Sequence, residues 1–144
     1  MKLLDANLLF YANDLSSPHH QRTKAWAEEL LSGREHVALA WVTILAFLRI
    51  STDPRAAKPL TIREAIAAIG EWLAHPDVSV LNPGERHWSI LSELMPAAQA
   101  RGPLIMDAHL AALAIEHGAV LCTNDRDFTR FRDLRTLNPL EEAE

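Results

Sequence analysis

The sequence predicts one α/β domain in which helices cover both faces of a parallel sheet of four to five strands. Short β-prone segments alternate with helical segments along most of the chain, and this alternation is typical of parallel sheets. The length of 144 residues suits a single domain, and the hydrophobic fraction of 49% provides an ordinary core. Because no repeat or linker interrupts the pattern, we expect the domain to span residues 1–140, followed by a frayed tail at 141–144.

Two strands and two helices are predicted before residue 41. Residues 2–4 and 36–40 are short, apolar and β-prone. The segments "ANLLFYAND" and "PHHQRTKAWAEELLSG" have apolar residues at helical spacing. The chain therefore begins as strand, helix, helix and strand.

Two further helices are predicted between residues 41 and 75. The segment "WVTILAFLRIS" is apolar nearly all round, which predicts a buried helix. In "LTIREAIAAIGEWLAH", Thr61 and Glu64 match a capping box at the start of a helix. The apolar residues of this second helix are expected to form its core-facing side: Ile62, Ile66, Ile69 and Leu73.

The rest of the chain continues the alternation. Strands are predicted at 78–81, 119–122 and 134–137, a helix over "ERHWSILSELMPAAQA", another over 106–118 that ends at Gly118, and a short helical turn at "DFTRF". In the first of these helices we expect Trp88 and Leu91 to face inward, with Leu94 or Met95.

The composition argues against several classes of protein. A formal net charge of −5 disfavours general affinity for nucleic acid, which requires a basic surface. No apolar run approaches the ~18 residues that span a membrane, and the acidic N-terminal segment does not resemble a signal peptide. The single cysteine, Cys122, cannot form an intrachain disulfide. We therefore expect a cytoplasmic protein without a membrane segment.

Three aspartates are predicted to meet at one edge of the sheet. Asp5 follows the strand 2–4 and Asp125 lies just beyond the strand 119–122, and ligands of such sheets bind beyond the carboxyl ends of the strands. Asp107 begins the helix before the latter strand. A helix of about 11 residues is ~16 Å long, and the strand returns about 13 Å. The helix start and the strand end are thus level, and the carboxylates converge if the two strands are neighbours.

Such a cluster predicts a metal site. Carboxylates without basic partners repel each other, a divalent cation removes the repulsion, and oxygen ligands select Mg²⁺ or Mn²⁺. A site of this kind suits the hydrolysis of phosphodiesters. Each acid also has a simpler interpretation: Asp5 and Asp107 as helix caps, Asp125 as a loop residue, and Asp127 as the cap of the "DFTRF" turn.

Four segments carry a family likeness: "LLDANLLFYA", "FLRISTDPR", "MDAHLAALAIEHG" and "TNDRDFTRF". In this order they resemble PIN-domain ribonucleases, and within that family the VapC-type toxins of bacterial toxin–antitoxin pairs. The resemblance extends over essentially the whole chain. It implies an α/β/α sandwich, cleavage of RNA that depends on Mg²⁺ or Mn²⁺, a VapB-type antitoxin as partner, and a homodimer.

The resemblance also implies roles for individual residues. The metal-binding and catalytic acids map onto Asp5, Asp107 and Asp125, which the spacing had already selected, and Asp127 is added as a fourth metal ligand, directly or through water. Substrate contacts are expected from residues beside these acids: Arg49, Arg55, Thr123 and Asn124. The arginines are candidates for phosphate contacts, with a solvated or salt-bridged role as the alternative.

The chain departs from the family pattern at one acid. Many PIN nucleases carry a glutamate in the helix after the second strand, and the corresponding position here is Ala46; no acid occurs between Glu35 and Asp53. Thr43 offers a hydroxyl nearby, although core packing is its simpler interpretation. We therefore expect one well-held metal ion.

Glu116 is a poor substitute for the missing glutamate. It lies nine residues after Asp107, about 180° around the same helix at 100° per residue. Glu116 is therefore expected to face solvent or a neighbouring helix, and any second metal would be completed by Asp127 or by the substrate.

Two other functions compete with a nuclease. The missing glutamate favours a catalytically inactive PIN-like module that binds RNA or protein. A phosphoacceptor receiver domain also clusters acids at a strand edge, but it needs an acidic pair after the first strand, an aspartate after a middle strand and a late lysine. This chain has Asp5 alone, no aspartate after "VALA" and no lysine beyond Lys58. An endoribonuclease toxin remains the favoured hypothesis.

Overall fold

A computed structural model describes residues 1–141, in which five strands form one sheet with helices on both faces. All neighbouring strands run parallel, so the predicted α/β class is confirmed. The tail predicted at 141–144 lies outside the described residues except for Glu141. In the sheet order β3-β2-β1-β4-β5, the strands are β1 (Lys2–Leu4), β2 (Val37–Ala40), β3 (Val78–Leu81), β4 (Val120–Cys122) and β5 (Thr136–Leu137).

The helices follow the predicted order with small shifts at their ends. The capping box of α4 is present: the Glu64 N–H donates to Thr61 Oγ1 over 3.1 Å, and the Thr61 N–H donates to Glu64 Oε1 over 3.0 Å. The helices are α1 (Ala6–Asn13), α2 (His20–Ser32), α3 (Trp41–Ser51), α4 (Ile62–Ala74), α5 (His87–Ala97) and α6 (Leu104–His117), and a 3₁₀ turn spans Arg126–Arg130.

The strands divide the hydrophobic core into two layers, because successive side chains of a strand point to opposite faces of the sheet. Leu3 and Ala38 pack on one face with α5 and α6, whereas Leu4 and Leu39 pack on the other face with α1, α2, α3 and α4. These four side chains are completely buried, and each leucine contributes roughly 1.5–3 kcal/mol relative to an exposed one. The sandwich is therefore fixed from both sides.

The strand order decides where the acids lie. β1 pairs with β4, so the two strands that precede Asp5 and Asp125 are neighbours, as the prediction required. The Asp5 N–H donates to the Cys122 carbonyl over 2.9 Å. This hydrogen bond ties the residue after β1 to the end of β4.

Of the predicted buried face of α4, the prediction for Ile69 is confirmed, and those for Ile62, Ile66 and Leu73 are wrong. Ile62 and Ile66 are 55% and 57% exposed, and the buried residues are Ala65, Ile69 and Trp72. The exposed and the buried residues form two apolar stripes along α4, and both have helical spacing. The sequence pattern therefore does not distinguish between the two stripes. Packing decides, because Ala65 permits a close approach and Trp72 buries a large ring.

Two further burial predictions are wrong. Trp88 is 70% exposed; the inward position of α5 is taken by His87, whose ring bonds to His109. The helix α3 is not buried all round, since Trp41 and Leu45 are 54% and 60% exposed. The reason is that α1, α4 and β2 cover only part of α3.

No helix within residues 1–141 is long and apolar enough to cross a membrane.

Candidate active site

Asp5 lies at the carboxyl end of β1 and caps the helix α1. Its Oδ1 accepts a hydrogen bond from the Ala6 N–H over 2.7 Å, and its Oδ2 accepts one from the Thr123 hydroxyl over 2.7 Å. Burial raises the pKa of Asp5. The two hydrogen bonds lower this pKa in part, and the nearby Asp125 carboxylate raises it further. The capping interpretation of Asp5 is confirmed, and the same carboxylate faces the site.

Thr123 connects two of the predicted acids. Its side chain is 4% exposed, its hydroxyl donates to Asp5 Oδ2, and its oxygen accepts the Asp125 N–H over 3.0 Å. The sequence suggested Thr123 as a substrate contact, but its hydroxyl is used within the protein. It orients one acid and the backbone of another.

Asp125 caps the 3₁₀ turn. Its Oδ1 accepts the Asp127 N–H over 2.9 Å, and its backbone is extended at φ −94° and ψ 114°. The predicted cap, Asp127, instead lies exposed in the first turn. The cap is one acid earlier because a capping residue must stand just outside the turn with an extended backbone.

Asp107 lies in the first turn of α6, which begins earlier than predicted, at Leu104. The residue before the helix is Pro103 and makes no side-chain cap, so Asp107 is not the helix cap. Burial raises the pKa of Asp107 to about 6, with further increases from the carboxylates of Asp125, Asp5 and Asp127. The four predicted acids therefore share one region of strong negative potential.

Arg130 is a functional candidate that the sequence analysis missed. Its positive charge is the one that lowers the pKa of Asp107 against the effect of the acids. A basic residue in the last turn after "DRDF" was the available signal.

A cavity of about 590 Å³ opens between α1, α3 and α6 at this edge of the sheet. Asp5, Asp107 and Arg49 line it, and so does Ala46, the position of the expected glutamate. The wall contributed by α3 thus carries a methyl group where a carboxylate was expected. Asp125 and Asp127 lie outside this lining.

Two predicted substrate contacts lie apart from the cavity. Arg55 makes a bidentate salt bridge with Asp53, over 3.1 Å from Nε and 2.9 Å from Nη2, and lines a separate cavity that also includes Arg49. Asn124 accepts a hydrogen bond from Asn138 Nδ2 over 3.1 Å. Of the two predicted arginines, the structure brings Arg49 to the acids.

Glu116 has a different role from the missing acid. Its carboxylate accepts the Gly84 and Arg86 N–H groups over 2.8 and 2.9 Å. These hydrogen bonds lower the pKa of Glu116. Glu116 therefore anchors the segment before α5, as its position opposite Asp107 on the helix suggested.

The chemistry of the four acids fits a hard divalent ion, but their side chains lie farther apart than the ligands of a bound ion. Oxygen donors of negative charge are the ligands that Mg²⁺ and Mn²⁺ prefer. Burial and, after it, the neighbouring carboxylates raise the pKa of Asp107, and a cation would relieve both effects. Within residues 1–141, however, no three acidic, histidine or cysteine side chains are close enough to hold an ion as they stand. To bind such an ion, these carboxylates would have to move closer together.

Comparisons with known proteins agree with this fold. The sequence model of the PIN domain matches residues 2–134. Ribonuclease VapC37 of Mycobacterium tuberculosis is 41% identical over 143 residues, covering 96% of this chain and 97% of that protein. The chain is a VapC-type member of the PIN-domain family.

Solved structures show the same fold for this PIN domain. VapBC-1 from nontypeable Haemophilus influenzae matches with a TM-score of 0.72 and 20% identity, over 97% of this chain and 98% of that one. A toxin–antitoxin complex from Klebsiella pneumoniae matches with a TM-score of 0.65 and 16% identity, over 99% of this chain and 100% of that one. At these identities the likeness concerns the fold alone.

Proposed function

We propose that this PIN domain is an endoribonuclease that depends on Mg²⁺ or Mn²⁺ and acts as the toxin of a toxin–antitoxin pair. The relative at 41% identity is named a ribonuclease and is covered almost completely. The observation that carries the proposal is the convergence of four acids beyond the paired strands β1 and β4: Asp5, Asp107, Asp125 and Asp127. Burial and the three neighbouring carboxylates raise the pKa of Asp107 to about 6. A fold that keeps such mutually repelling acids at a ligand-binding edge is suited to a divalent cation.

The position of each residue at the site indicates its proposed role. Asp5, Asp107 and Asp125 would hold the ion, with Asp127 as a further ligand directly or through water. A bound divalent ion supplies charge stabilisation at a phosphodiester and lowers the pKa of an attacking water. Thr123 keeps Asp5 oriented through the 2.7 Å hydrogen bond, and hydrolysis leaves 5′-phosphate and 3′-hydroxyl ends.

The substrate is RNA, and Arg49 is the predicted contact best placed for it. Arg49 lines the cavity with Asp5 and Asp107, so its guanidinium offsets some of the repulsion between the acids and a phosphate. Contacts from Arg55, Thr123 and Asn124 remain predictions.

We further propose a VapB-type antitoxin as partner, a homodimer as the assembly, and the cytoplasm as the compartment. One of the structural neighbours is a toxin–antitoxin complex. Exposed apolar side chains on α3 and α4 give such partners a surface, including Leu45 and Ile66.

The proposal is tested by cleavage of a total-RNA pool with and without Mn²⁺, using protein free of antitoxin. We expect discrete, metal-dependent products from the wild type and none from Asp107→Asn. Asp77→Asn is the matched control, because Asp77 precedes β3 and therefore lies at the amino ends of the strands, away from the four acids. Absence of products from the wild type over a range of metal concentrations contradicts the nuclease.

A binding module without catalysis is the second candidate, and Ala46 on the cavity wall favours it. Asp5→Asn separates the two candidates in cells that express the protein. A binding module keeps its biological effect in this variant, whereas a nuclease loses its toxicity.

A further inference from the structure

Three helices begin at the active-site cavity, and their N-terminal ends differ in charge. The helix α1 is capped by Asp5, and α6 has Asp107 in its first turn. The helix α3 follows Ala40, which makes no side-chain cap, and its first turn contains no acid. The first N–H groups of a helix lack internal acceptors and carry partial positive charge. Of these three helix ends, that of α3 is the one without an acid from the protein.

The hydroxyl of Thr43 is an independent sign of an absent ligand. Thr43 lines the cavity and is 2% exposed, and its Oγ1 has no hydrogen-bond partner among the described residues. Ser51 at the end of the same helix and Thr52 just after it donate to carbonyls four residues earlier. Thr43 is the third residue of α3, so the residue four positions before it is Leu39 in β2. Its hydroxyl thus requires a partner from outside the helix.

The same face of α3 is free of negative charge. Ala46 and Arg49 follow Thr43 at intervals of three residues, and all three line the cavity. A carboxylate at position 46 would repel an anion placed against this wall, whereas a methyl group does not. Arg49 is exposed at the outer end of the row and adds a positive charge.

We propose that the first two turns of α3 bind a phosphate group of the RNA backbone. The Thr43 hydroxyl donates a hydrogen bond to a phosphate oxygen, the N-terminal end of α3 faces the negative charge, and Arg49 is the counter-charge. Asp5 and Asp107 form other walls of the same cavity, so a phosphate held by α3 lies beside the acids. This inference rests on the proposed function and adds the surface that holds its substrate.

The test is isothermal titration calorimetry with inorganic phosphate in buffer containing Mg²⁺. Thr43→Val keeps the shape of the side chain and removes the hydroxyl, and we expect about tenfold weaker phosphate binding, the effect of one lost hydrogen bond to a charged acceptor. Thr43→Ser should bind like the wild type. Thr23→Val is the matched control, because Thr23 is 1% exposed and its hydroxyl also lacks a partner among the described residues, but it lies on α2 outside the cavity lining.

Ala46→Glu provides a second variant that does not remove the hydroxyl. Titrated against the wild type in buffer that contains a chelator in place of Mg²⁺, so that the new carboxylate cannot act as a metal ligand, it places a negative charge on the wall and should also weaken phosphate binding. This variant provides the test if Thr43→Val fails to fold by circular dichroism. The proposal is overturned if the wild type shows no saturable phosphate binding, if Thr43→Val binds normally, or if Thr23→Val weakens binding equally.

RNA cleavage, measured separately, distinguishes this inference from the proposed function. If phosphate binding depends on Thr43 but the protein cleaves no RNA, the phosphate site is supported and the proposed nuclease activity is contradicted. If the wild type cleaves RNA but Thr43→Val binds phosphate as the wild type does, the nuclease is supported and the phosphate site is contradicted.

Discussion

The carboxylate of Asp107 is partly buried and lies near those of Asp5, Asp125 and Asp127, and burial together with this proximity makes the metal-free protein sensitive to pH. The pKa of Asp107 is about 6 in the folded protein and 3.8 for the free side chain. Between these values the folded state binds more protons than the unfolded state, so the free energy of unfolding falls as pH rises through this window.

We predict that Asp107→Asn removes this part of the pH dependence. At pH 7 and without metal, the variant should be more stable than the wild type, because an amide carries no charge to bury or to repel. The difference should be only about 1 kcal/mol, since the side chain is partly exposed and solvent screens its charge. Urea unfolding at pH 4.5 and pH 7 in the presence of a chelator measures the difference. Equal stability of the two proteins at pH 7 would show that ionisation of Asp107 does not destabilise the folded state.

Thr123 links the ends of β1 and β4, and we predict that Thr123→Val damages the site more than the fold. The substitution removes the hydrogen bonds to Asp5 Oδ2 and from the Asp125 N–H. The free energy of unfolding should fall by about 1–3 kcal/mol, and Mn²⁺ affinity and RNA cleavage by about 10- to 100-fold each. Calorimetric titration with Mn²⁺ gives a result that does not depend on activity. Thr123→Ser is the control and should restore both values, whereas unchanged Mn²⁺ affinity in Thr123→Val would exclude the orienting role.

At the scale of elements, Glu116 fastens the segment before α5 to the helix α6. Its carboxylate accepts two backbone N–H groups, and a Cβ added at Gly84 would lie 2.6 Å from Glu116 Oε2. This contact lies away from the acids, so it should affect the stability of α5 without changing the chemistry of the site.

We therefore predict that Glu116→Gln lowers the free energy of unfolding by about 1–2 kcal/mol, because an amide has one oxygen acceptor in place of two. Gly84→Ala should also destabilise the protein, by crowding the same carboxylate. Cleavage of RNA at a temperature well below unfolding should be unchanged in both. Glu93→Gln, at an exposed position of α5, is the control in urea unfolding. A loss of cleavage in folded Glu116→Gln would instead assign Glu116 to the site.

At the scale of the whole molecule, exposed apolar side chains surround the mouth of the cavity. Leu45 is 60% exposed and Met106 is 54% exposed, and both line the cavity. We predict that this surface forms the homodimer interface, because contiguous exposed apolar patches mark association sites.

Sedimentation velocity tests the interface. The wild type should sediment as a dimer and Leu45→Lys as a monomer, since a charge buried between two apolar surfaces is costly. Ile62→Lys, on the exposed stripe of α4, is the control and should remain dimeric. Loss of the dimer in Ile62→Lys but not in Leu45→Lys would place the interface on α4.

The sequence by itself determined the order of strands and helices, the α/β class and the acids at one edge. These features follow from local signals: hydrophobic periodicity, the capping pair Thr61 and Glu64, and the Gly118 stop, where the residue after α6 has φ 66°. Asp5 and Asp125 were located because each follows a strand, and a parallel sheet brings strand ends together. Family motifs added the identity of the fold.

Only the tertiary structure decided which helix faces are buried and which hydrogen bonds the acids make. The two apolar stripes of α4 are equivalent in sequence, and packing against the sheet selects Ala65, Ile69 and Trp72. The cap at Asp125 and the bridge from Thr123 depend on loop conformation and on a contact between residues 118 positions apart. Local patterns fix periodicity but not rotation or long-range contacts, because those depend on which surfaces meet when the whole chain folds.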